Sequence, residues 1–266
     1  MRAIAVRHVR RLLPLLLLTA LLAQGCRGKE PLFEEVPPAD ELFAMGEKEL
    51  AGRRILPFYT RHNYSRAIEY FQSIIDNYPY SDYAVRAELK IADAYFDDGK
   101  YDEALSYYRD FADLHPQHEK VPYTVYRSGM CHYERIESVD RDQTATRNAL
   151  GFFDRLLVEH PHSSYAQEAE PMWRELQLRL AEHDERIADF YRDREEYEAA
   201  ADRYRQLLDA HPGLGIDARV LFKLGQSYEA LDRLDEADRI YRTLVTHYET
   251  SPWAYQARQR LVSDMP

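Results

Sequence analysis

Apolar residues recur along the chain with one spacing, in which an alanine is followed four residues later by an aromatic residue and twelve residues later by a proline. Residues four apart share one face of an α-helix, and proline cannot continue a helix, so each copy predicts an amphipathic helix that ends before its proline. Such self-similarity is typical of a repeat protein. Five copies occur, the last without its proline: Ala67/Phe71/Pro79, Ala104/Tyr108/Pro116, Ala149/Phe153/Pro161, Ala200/Tyr204/Pro212 and Ala237/Tyr241.

A second small residue precedes several of these motifs and predicts a partner helix. Ala92, Ala188 and Gly225 each lie twelve residues before the alanine of their own repeat, and small residues allow two helices to pack closely. The pairing resembles the tetratricopeptide repeat, a helical hairpin of about 34 residues. The predicted fold is all-α, a right-handed solenoid of five such hairpins over residues 39–250, followed by a capping helix from Pro252 to Val262.

The distances between repeats vary, and the extra residues predict departures from a regular solenoid. Consecutive motif alanines are 37, 45, 51 and 37 residues apart. Repeat one carries an insertion around Arg53 to His62, and repeat three an extended loop at about Ser138 to Arg147. In repeat four the first helix is predicted to run from Ala166 to Arg192. Long loops on a solenoid are commonly functional.

The first 25 residues have the pattern of a secretory signal. Four arginines precede an apolar run that ends at Ala23. This run is too short to cross a bilayer. The following Gly25-Cys26 resembles the lipobox of bacterial lipoproteins, whose cysteine is acylated. Ordinary secretion, with Cys26 as a free thiol, is the alternative. The predicted divisions are a signal peptide (1–25), a lipidated tether (26–38), repeats one to three (39–163), and repeats four and five with the capping helix (164–266).

The residue after the cysteine bears on location. Lipoproteins of this kind that are held back from the outer membrane carry aspartate there, whereas this chain has Arg27. The predicted location is therefore the outer membrane, with the chain lipid-anchored and facing the periplasm.

The concave face of a helical solenoid is formed by the first helix of each hairpin. In repeats four and five the positions predicted to line it are largely charged, and include Glu185 and Asp189. In repeats one to three they are mostly apolar and aromatic, which suits adaptable peptide binding. The sequence thus predicts an unfolded-peptide site in the first half and a folded-partner site in the second; packing between repeats is the alternative for each side chain. The predicted groove residues are Phe43, Leu50, Leu89, Phe96, Tyr123, Tyr126, Met130 and Tyr133.

Composition argues against several other functions. Lys and Arg number 35 against 46 Asp and Glu, a formal net charge of -11, which disfavours nucleic acid as a partner. Cys131 lies in an apolar helical stretch and is expected to be buried, and its neighbour His132 points elsewhere on the helix. No histidine or cysteine pattern matches a metal site. We therefore predict no catalytic residues, no metal and no cofactor, and a protein that is not an enzyme.

One loop carries a more specific resemblance. The run Val139-Asp140-Arg141-Asp142-Gln143, followed by His160-Pro161-x-Ser163-x-Tyr165-Ala166, resembles the BamD family of outer-membrane β-barrel assembly lipoproteins. The insertion in repeat one departs from that family. Another periplasmic repeat lipoprotein, such as a secretin pilotin or a cell-envelope coordinator, is the competing interpretation.

The resemblance implies both partners and site residues. Members of the family dock on the periplasmic part of the BamA barrel protein, work with other assembly-complex lipoproteins, and receive the C-terminal strand of unfolded outer-membrane proteins. The residues expected to bind partners are Asp140, Arg141, Asp142 and Arg203.

Overall fold

A computed structural model of the chain describes residues 36–263. The predicted signal peptide, Cys26 and most of the predicted tether lie outside the described residues. From Ala39 onward the chain forms one compact unit. Its elements are α1 (Ala39–Ala51), β1 (Arg53–Leu56), β2 (Tyr59–Arg61), α2 (Tyr64–Asn77), α3 (Asp82–Asp97), α4 (Tyr101–Leu114), α5 (Val121–Tyr133), α6 (Thr144–Glu159), α7 (Ser164–Asp193), α8 (Tyr197–Ala210), α9 (Asp217–Ala230), α10 (Leu234–His247) and α11 (Pro252–Ser263).

The helices between residues 39 and 250 pair into five hairpins, as the motif spacing predicts. Each helix packs against the next along the chain. The first helices of some neighbouring hairpins are also in contact: α1 packs against α3, and α5 packs against α7. Helix α11 packs against both α9 and α10, and so covers the last hairpin. The all-α hairpin fold and the terminal helix are confirmed.

The motif residues form the core of each hairpin. Ala67, Phe71, Tyr108 and Phe153 are all fully buried. In three repeats the aromatic ring lies directly against a glycine of the first helix. A methyl group built on the glycine would come within 2.4 to 2.6 Å of ring carbons, so no larger side chain fits without movement. The three pairs are Gly46–Phe71, Gly129–Phe153 and Gly225–Tyr241.

The insertion in repeat one is an ordered β-hairpin between α1 and α2. Strands β1 and β2 are antiparallel, with Arg53 opposite Arg61 and Leu56 opposite Tyr59. Gly52 joins α1 to the hairpin with φ at +71°, a conformation that glycine adopts without steric cost. The sequence locates this insertion but does not predict its strands.

The loop of repeat three and the long first helix of repeat four lie where the sequence predicts them, but their ends differ from the prediction by a few residues. The loop of repeat three spans residues 134–143, a few residues earlier than predicted, because α6 already begins at Thr144, whose backbone N–H donates to Asp142. Helix α7 has 30 residues and begins at Ser164, two residues before the predicted start. The hydroxyl of Ser163 caps it by accepting from the N–H of Ala166 at 3.0 Å, as is common at helix starts.

Replacing Gly129 by alanine should destabilise the protein by about 2 kcal/mol, because the new methyl group would overlap the buried Phe153 ring. Gly151 provides the matched control: it is exposed on α6 with nothing near its missing side chain. Gly151→Ala should stabilise by up to about 1 kcal/mol through helix propensity. Urea unfolding followed by helical circular dichroism measures both, and equal midpoints would contradict this account of the hairpin contact.

Candidate functional site

The structure divides the predicted groove residues into three groups. Phe43 is only 3% exposed, and its ring packs against Phe71 and Tyr83. Its predicted place on the groove wall is therefore wrong, because the first two hairpins enclose it. Leu89 and Tyr123 line an open cavity. The remaining five are half-buried and packed between helices: Leu50, Phe96, Tyr126, Met130 and Tyr133.

The half-buried aromatic residues have specific neighbours. The ring of Tyr126 lies 5.7 Å from that of Tyr165 and 6.1 Å from that of Phe153, centroid to centroid. Tyr133 packs on the same Phe153 and donates its hydroxyl to Glu175 at 3.0 Å. These half-buried rings pack repeat three against repeat four and also remain partly exposed. Groove lining and packing between repeats therefore both apply to them in part.

The open cavity lies between α3 and α5, at the junction of repeats two and three. Its volume is about 250 Å³. A second hollow of about 540 Å³ shares three of its lining residues, so the two form one groove, which we call the repeat 2–3 groove. Its lining combines aliphatic and aromatic surface with three cations and three carboxylates. The lining residues of the narrower end are Arg86, Leu89, Lys90, Asp93, Lys120, Tyr123 and Tyr165, and the wider end adds Asp82, Val85, His118 and Glu119.

The charges of this groove are unequally neutralised. Lys90 pairs with Glu47 at 3.0 Å. Arg86 lies over the Phe43 ring at 4.2 Å, a cation–π contact. Among the described residues, neither Arg86 nor Lys120 has a carboxylate within ion-pair distance. The groove therefore presents two cations without a carboxylate partner beside apolar surface, although its lining also includes Asp82, Asp93 and Glu119.

Asp93, the carboxylate of the narrower end of the groove, already binds neighbouring groups. It accepts hydrogen bonds from Tyr108 at 2.6 Å and from Tyr123, and Arg127 lies 4.0 Å away. The guanidinium of Arg127 covers the Phe96 ring at 3.7 Å. Burial, together with the nearby carboxylate, raises the pKa of the Tyr108 phenol far above its usual value. Asp93 thus stabilises the junction rather than offering a negative charge to a ligand.

In repeats four and five, the predicted charged groove is largely occupied by its own ion pairs. Glu185 is 4% exposed and accepts two hydrogen bonds from Arg219, at 2.8 and 2.6 Å, and one from Lys223 at 2.7 Å. Lys223 also binds Asp189 at 2.7 Å, and Tyr204 donates to the same carboxylate. Burial alone would raise the pKa of Glu185, but its hydrogen bonds from the two cations hold that pKa below the usual value.

The two networks follow one pattern. An acid in the first helix of one repeat accepts from the motif tyrosine, and a cation 34 residues after the acid joins from the next repeat. Between repeats one and two only the acid and the cation are present, as the Glu47–Lys90 ion pair, because repeat one has Phe71 at the position of the motif tyrosine. Between repeats three and four the acid position holds Met130 instead. We call these contacts inter-repeat clamps; the complete sets are Asp93–Tyr108–Arg127 and Asp189–Tyr204–Lys223. The regular spacing of these residues was the signal that sequence analysis missed.

At the junction without a clamp, the loop 134–143 takes its place. Asp140 pairs with Arg186, which occupies the cation position of repeat four. His183 donates its Nδ1–H to the carbonyl of Val139 at 2.7 Å, and Arg179 donates to the carbonyl of Glu137. The loop thereby connects α5 and α6 to α7.

The residues predicted to bind partners therefore differ in availability. Asp142 accepts hydrogen bonds from the backbone N–H and the hydroxyl of Thr144, the first residue of α6, and these bonds lower the pKa of its carboxyl group. Arg141 is exposed and makes no ion pair with any described residue. Arg203 is exposed on α8 and lines a cavity of about 240 Å³ together with Asp184 and Ile187.

The internal thiol has no reactive environment. Cys131 is fully buried, as predicted, and burial raises the pKa of its thiol to about 12. Among residues 36–263 no group of three or more histidine, cysteine or acidic side chains is arranged to hold a metal ion.

Comparison with known proteins identifies the family. A family model described as "YfiO: Outer membrane lipoprotein" matches residues 56–243, which is more than half of the chain. The chain belongs to this family.

YfiO-family membership agrees with the predicted resemblance to BamD. The chain is 28% identical to the outer membrane protein assembly factor BamD of Neisseria gonorrhoeae, over 94% of both chains. It is 27% identical to that of Caulobacter vibrioides, over 93% of this chain and 79% of the relative. Among solved structures, the TPR2AB domain of yeast Sti1 is similar with a TM-score of 0.41 and 17% identity, over 84% of each chain. In the described part of this YfiO-family chain, no helix combines the length and hydrophobicity needed to cross a membrane.

Glu185→Gln should destabilise repeats four and five by about 3 kcal/mol at neutral pH, because Arg219 loses its buried carboxylate partner and Lys223 loses one of its two. The folded pKa of Glu185 lies below its ordinary value of 4.5. The charged carboxylate therefore stabilises fully above that value, and its contribution disappears as the pH falls through the folded pKa. The difference between variant and parent should thus shrink below about pH 4.

The control is Glu159→Gln, which removes an exposed pair with Arg155 and should cost under about 0.5 kcal/mol. Urea unfolding at several pH values measures both variants. A cost for Glu185→Gln that does not change with pH would show that the charge of Glu185 does not stabilise the junction.

Proposed function

We propose that this protein is a non-catalytic scaffold for outer-membrane protein assembly. The repeat 2–3 groove receives segments of unfolded outer-membrane proteins, and the surface of the later repeats binds a BamA-type barrel protein and other lipoproteins of the assembly complex. Acylated Cys26 anchors the chain to the outer membrane on its periplasmic side. Family membership and the assembly-factor names of the relatives support this role.

The observation that carries the proposal is the chemistry of the repeat 2–3 groove. Leu89, Tyr123 and Tyr165 provide apolar and aromatic surface, and Arg86 and Lys120 provide positive charge without a carboxylate partner among the described residues. A strand of an outer-membrane barrel alternates apolar and polar residues. The last strand also ends in a carboxylate, which binds well to lysine and arginine. An extended C-terminal segment therefore matches both properties of the groove.

The proposed partner surface is narrower than the sequence predicts. Glu185, Asp189 and Lys223 are committed to the clamp between repeats four and five. Arg203 and Arg141 remain exposed. These two cations, on α8 and on the loop of repeat three, are the predicted site residues best placed to meet a folded partner.

Lys120→Gln should weaken binding of a client peptide about tenfold, since a charged hydrogen bond contributes roughly 1.5 to 3 kcal/mol. The probe is a ten-residue peptide of alternating apolar and polar residues that ends in phenylalanine with a free carboxylate, measured by fluorescence anisotropy. The same peptide with an amidated end should bind the parent about tenfold more weakly and be insensitive to the substitution.

Lys100→Gln is the matched control, because Lys100 is exposed and pairs locally with Asp98. It should leave the affinity unchanged. If Lys120→Gln and Lys100→Gln bind the carboxylate peptide as tightly as the parent, the groove is not the client site.

Arg203→Glu should reduce co-purification with the BamA-type barrel protein from detergent-solubilised membranes, because a reversed charge repels the acidic surface that an exposed arginine would meet. Arg242→Glu, a reversal at an exposed arginine of α10, is the control and should have no effect. Co-purification that survives Arg203→Glu would remove this residue from the partner surface.

A further inference from the structure

The β-hairpin of repeat one carries four exposed large apolar residues within five positions of the chain. Phe58, in the turn between β1 and β2, is 87% exposed. The apolar residues beside it in the two strands are about half exposed. The apolar residues of the hairpin are Ile55, Leu56, Phe58 and Tyr59.

The charge of this segment is opposite to that of the whole protein. Residues 53–63 contain three arginines and no acidic residue, whereas the chain carries a net charge of -11. None of the three arginines has a carboxylate within ion-pair distance among the described residues, although most other arginines of the solenoid do. The three are Arg53, Arg54 and Arg61.

The base of the hairpin is fixed to the first repeat. His62 donates to the carbonyl of Leu50 at 2.6 Å, and the N–H of Asn63 donates to the carbonyl of Glu49 at 3.2 Å. A side chain at Gly52 would meet the backbone of Arg61 at 2.7 Å. The apolar turn is therefore held out from the solenoid on a defined support, and its exposure is a property of the fold.

From this combination we propose that the hairpin docks on the surface of an anionic phospholipid bilayer. Phe58 and its apolar neighbours enter the headgroup layer, where aromatic side chains are favoured. The three arginines bind lipid phosphates, which attract basic residues near a negatively charged membrane surface. The proposal rests on the membrane anchoring in the proposed function: Cys26 precedes Arg53 by 27 residues, so an anchored chain keeps the hairpin close to the bilayer.

A bilayer fits the hairpin better than an added β-strand does. Strands β1 and β2 have four and three residues, which offer few backbone groups for pairing. An apolar turn that projects from the solenoid suits insertion into a soft surface, whereas a peptide is bound in a concavity. The charge of the arginines favours phosphate, because no neighbouring carboxylate neutralises them.

The test uses the acylated full chain, reconstituted in vesicles of phosphatidylethanolamine and phosphatidylglycerol with brominated acyl chains. Phe58→Trp should place the new indole where bromine quenches it, so its fluorescence should fall at least twofold relative to unbrominated vesicles, after subtraction of the parent signal. Tyr255→Trp, at an exposed position on α11, is the control and should not be quenched. In the Phe58→Trp background, replacing the three arginines by glutamine, or using neutral phosphatidylcholine, should abolish most of the quenching, since each basic residue near an anionic surface contributes about fivefold in affinity.

The outcomes separate this proposal from the anchoring on which it rests. If the Phe58→Trp chain floats with the vesicles while its new indole stays unquenched, the hairpin proposal is overturned and the anchor is left intact. A chain that does not float at all would overturn both. Quenching that is equal in neutral vesicles would overturn the role of the arginines. A photo-crosslinker at position 58 that captures protein rather than lipid in whole membranes would also overturn membrane docking, and would identify the hairpin as a protein-binding surface.

Discussion

The close contact between a small residue and an aromatic ring sets the geometry on which the rest of the solenoid depends. Gly129 and Phe153, like the equivalent pairs of repeats one and five, are so close that a single methyl group would not fit. Interiors packed this tightly tolerate little change in volume. Because the ring fixes the distance between the two helices of a hairpin, it also fixes which side chains of the first helix can reach the next repeat.

That reach explains why charged positions on the first helices are structural. Asp93 and Asp189 lie beside the contact, where each accepts from the motif tyrosine and meets a cation of the following repeat. Ionised groups are stable in such half-buried places only when they are paired. The junction of repeats three and four has Met130 in place of the acid, and the loop 134–143 connects the hairpins there. The loop that carries the family resemblance is thus also a substitute for a missing clamp.

The pattern of residues along the chain predicts the fold well and the site only in part, for one physical reason. The pairing of Ala67 with Phe71, and its repetition, depends on contacts within one hairpin, which helical periodicity reports directly. Whether Phe43 or Leu89 faces the groove depends on the neighbouring repeat, and both occupy first-helix positions of the same pattern. Phe43 is enclosed by Tyr83, while Leu89 borders the open cavity. Lys120 lies outside the periodic positions, just before α5, so the pattern does not indicate it.

Whether a charged side chain is already paired within the protein indicates where the protein can bind a charged ligand. A carboxylate such as Glu185 that already accepts three hydrogen bonds has little to offer a ligand, and removing its partners would leave a buried charge. Cations without a local carboxylate, such as Lys120 in the groove and Arg53 in the hairpin, carry no such constraint. Their binding to an anionic group replaces water without breaking an internal pair. In an acidic chain with many internal ion pairs, these few cations beside apolar surface are where electrostatic and hydrophobic contributions to binding can act together.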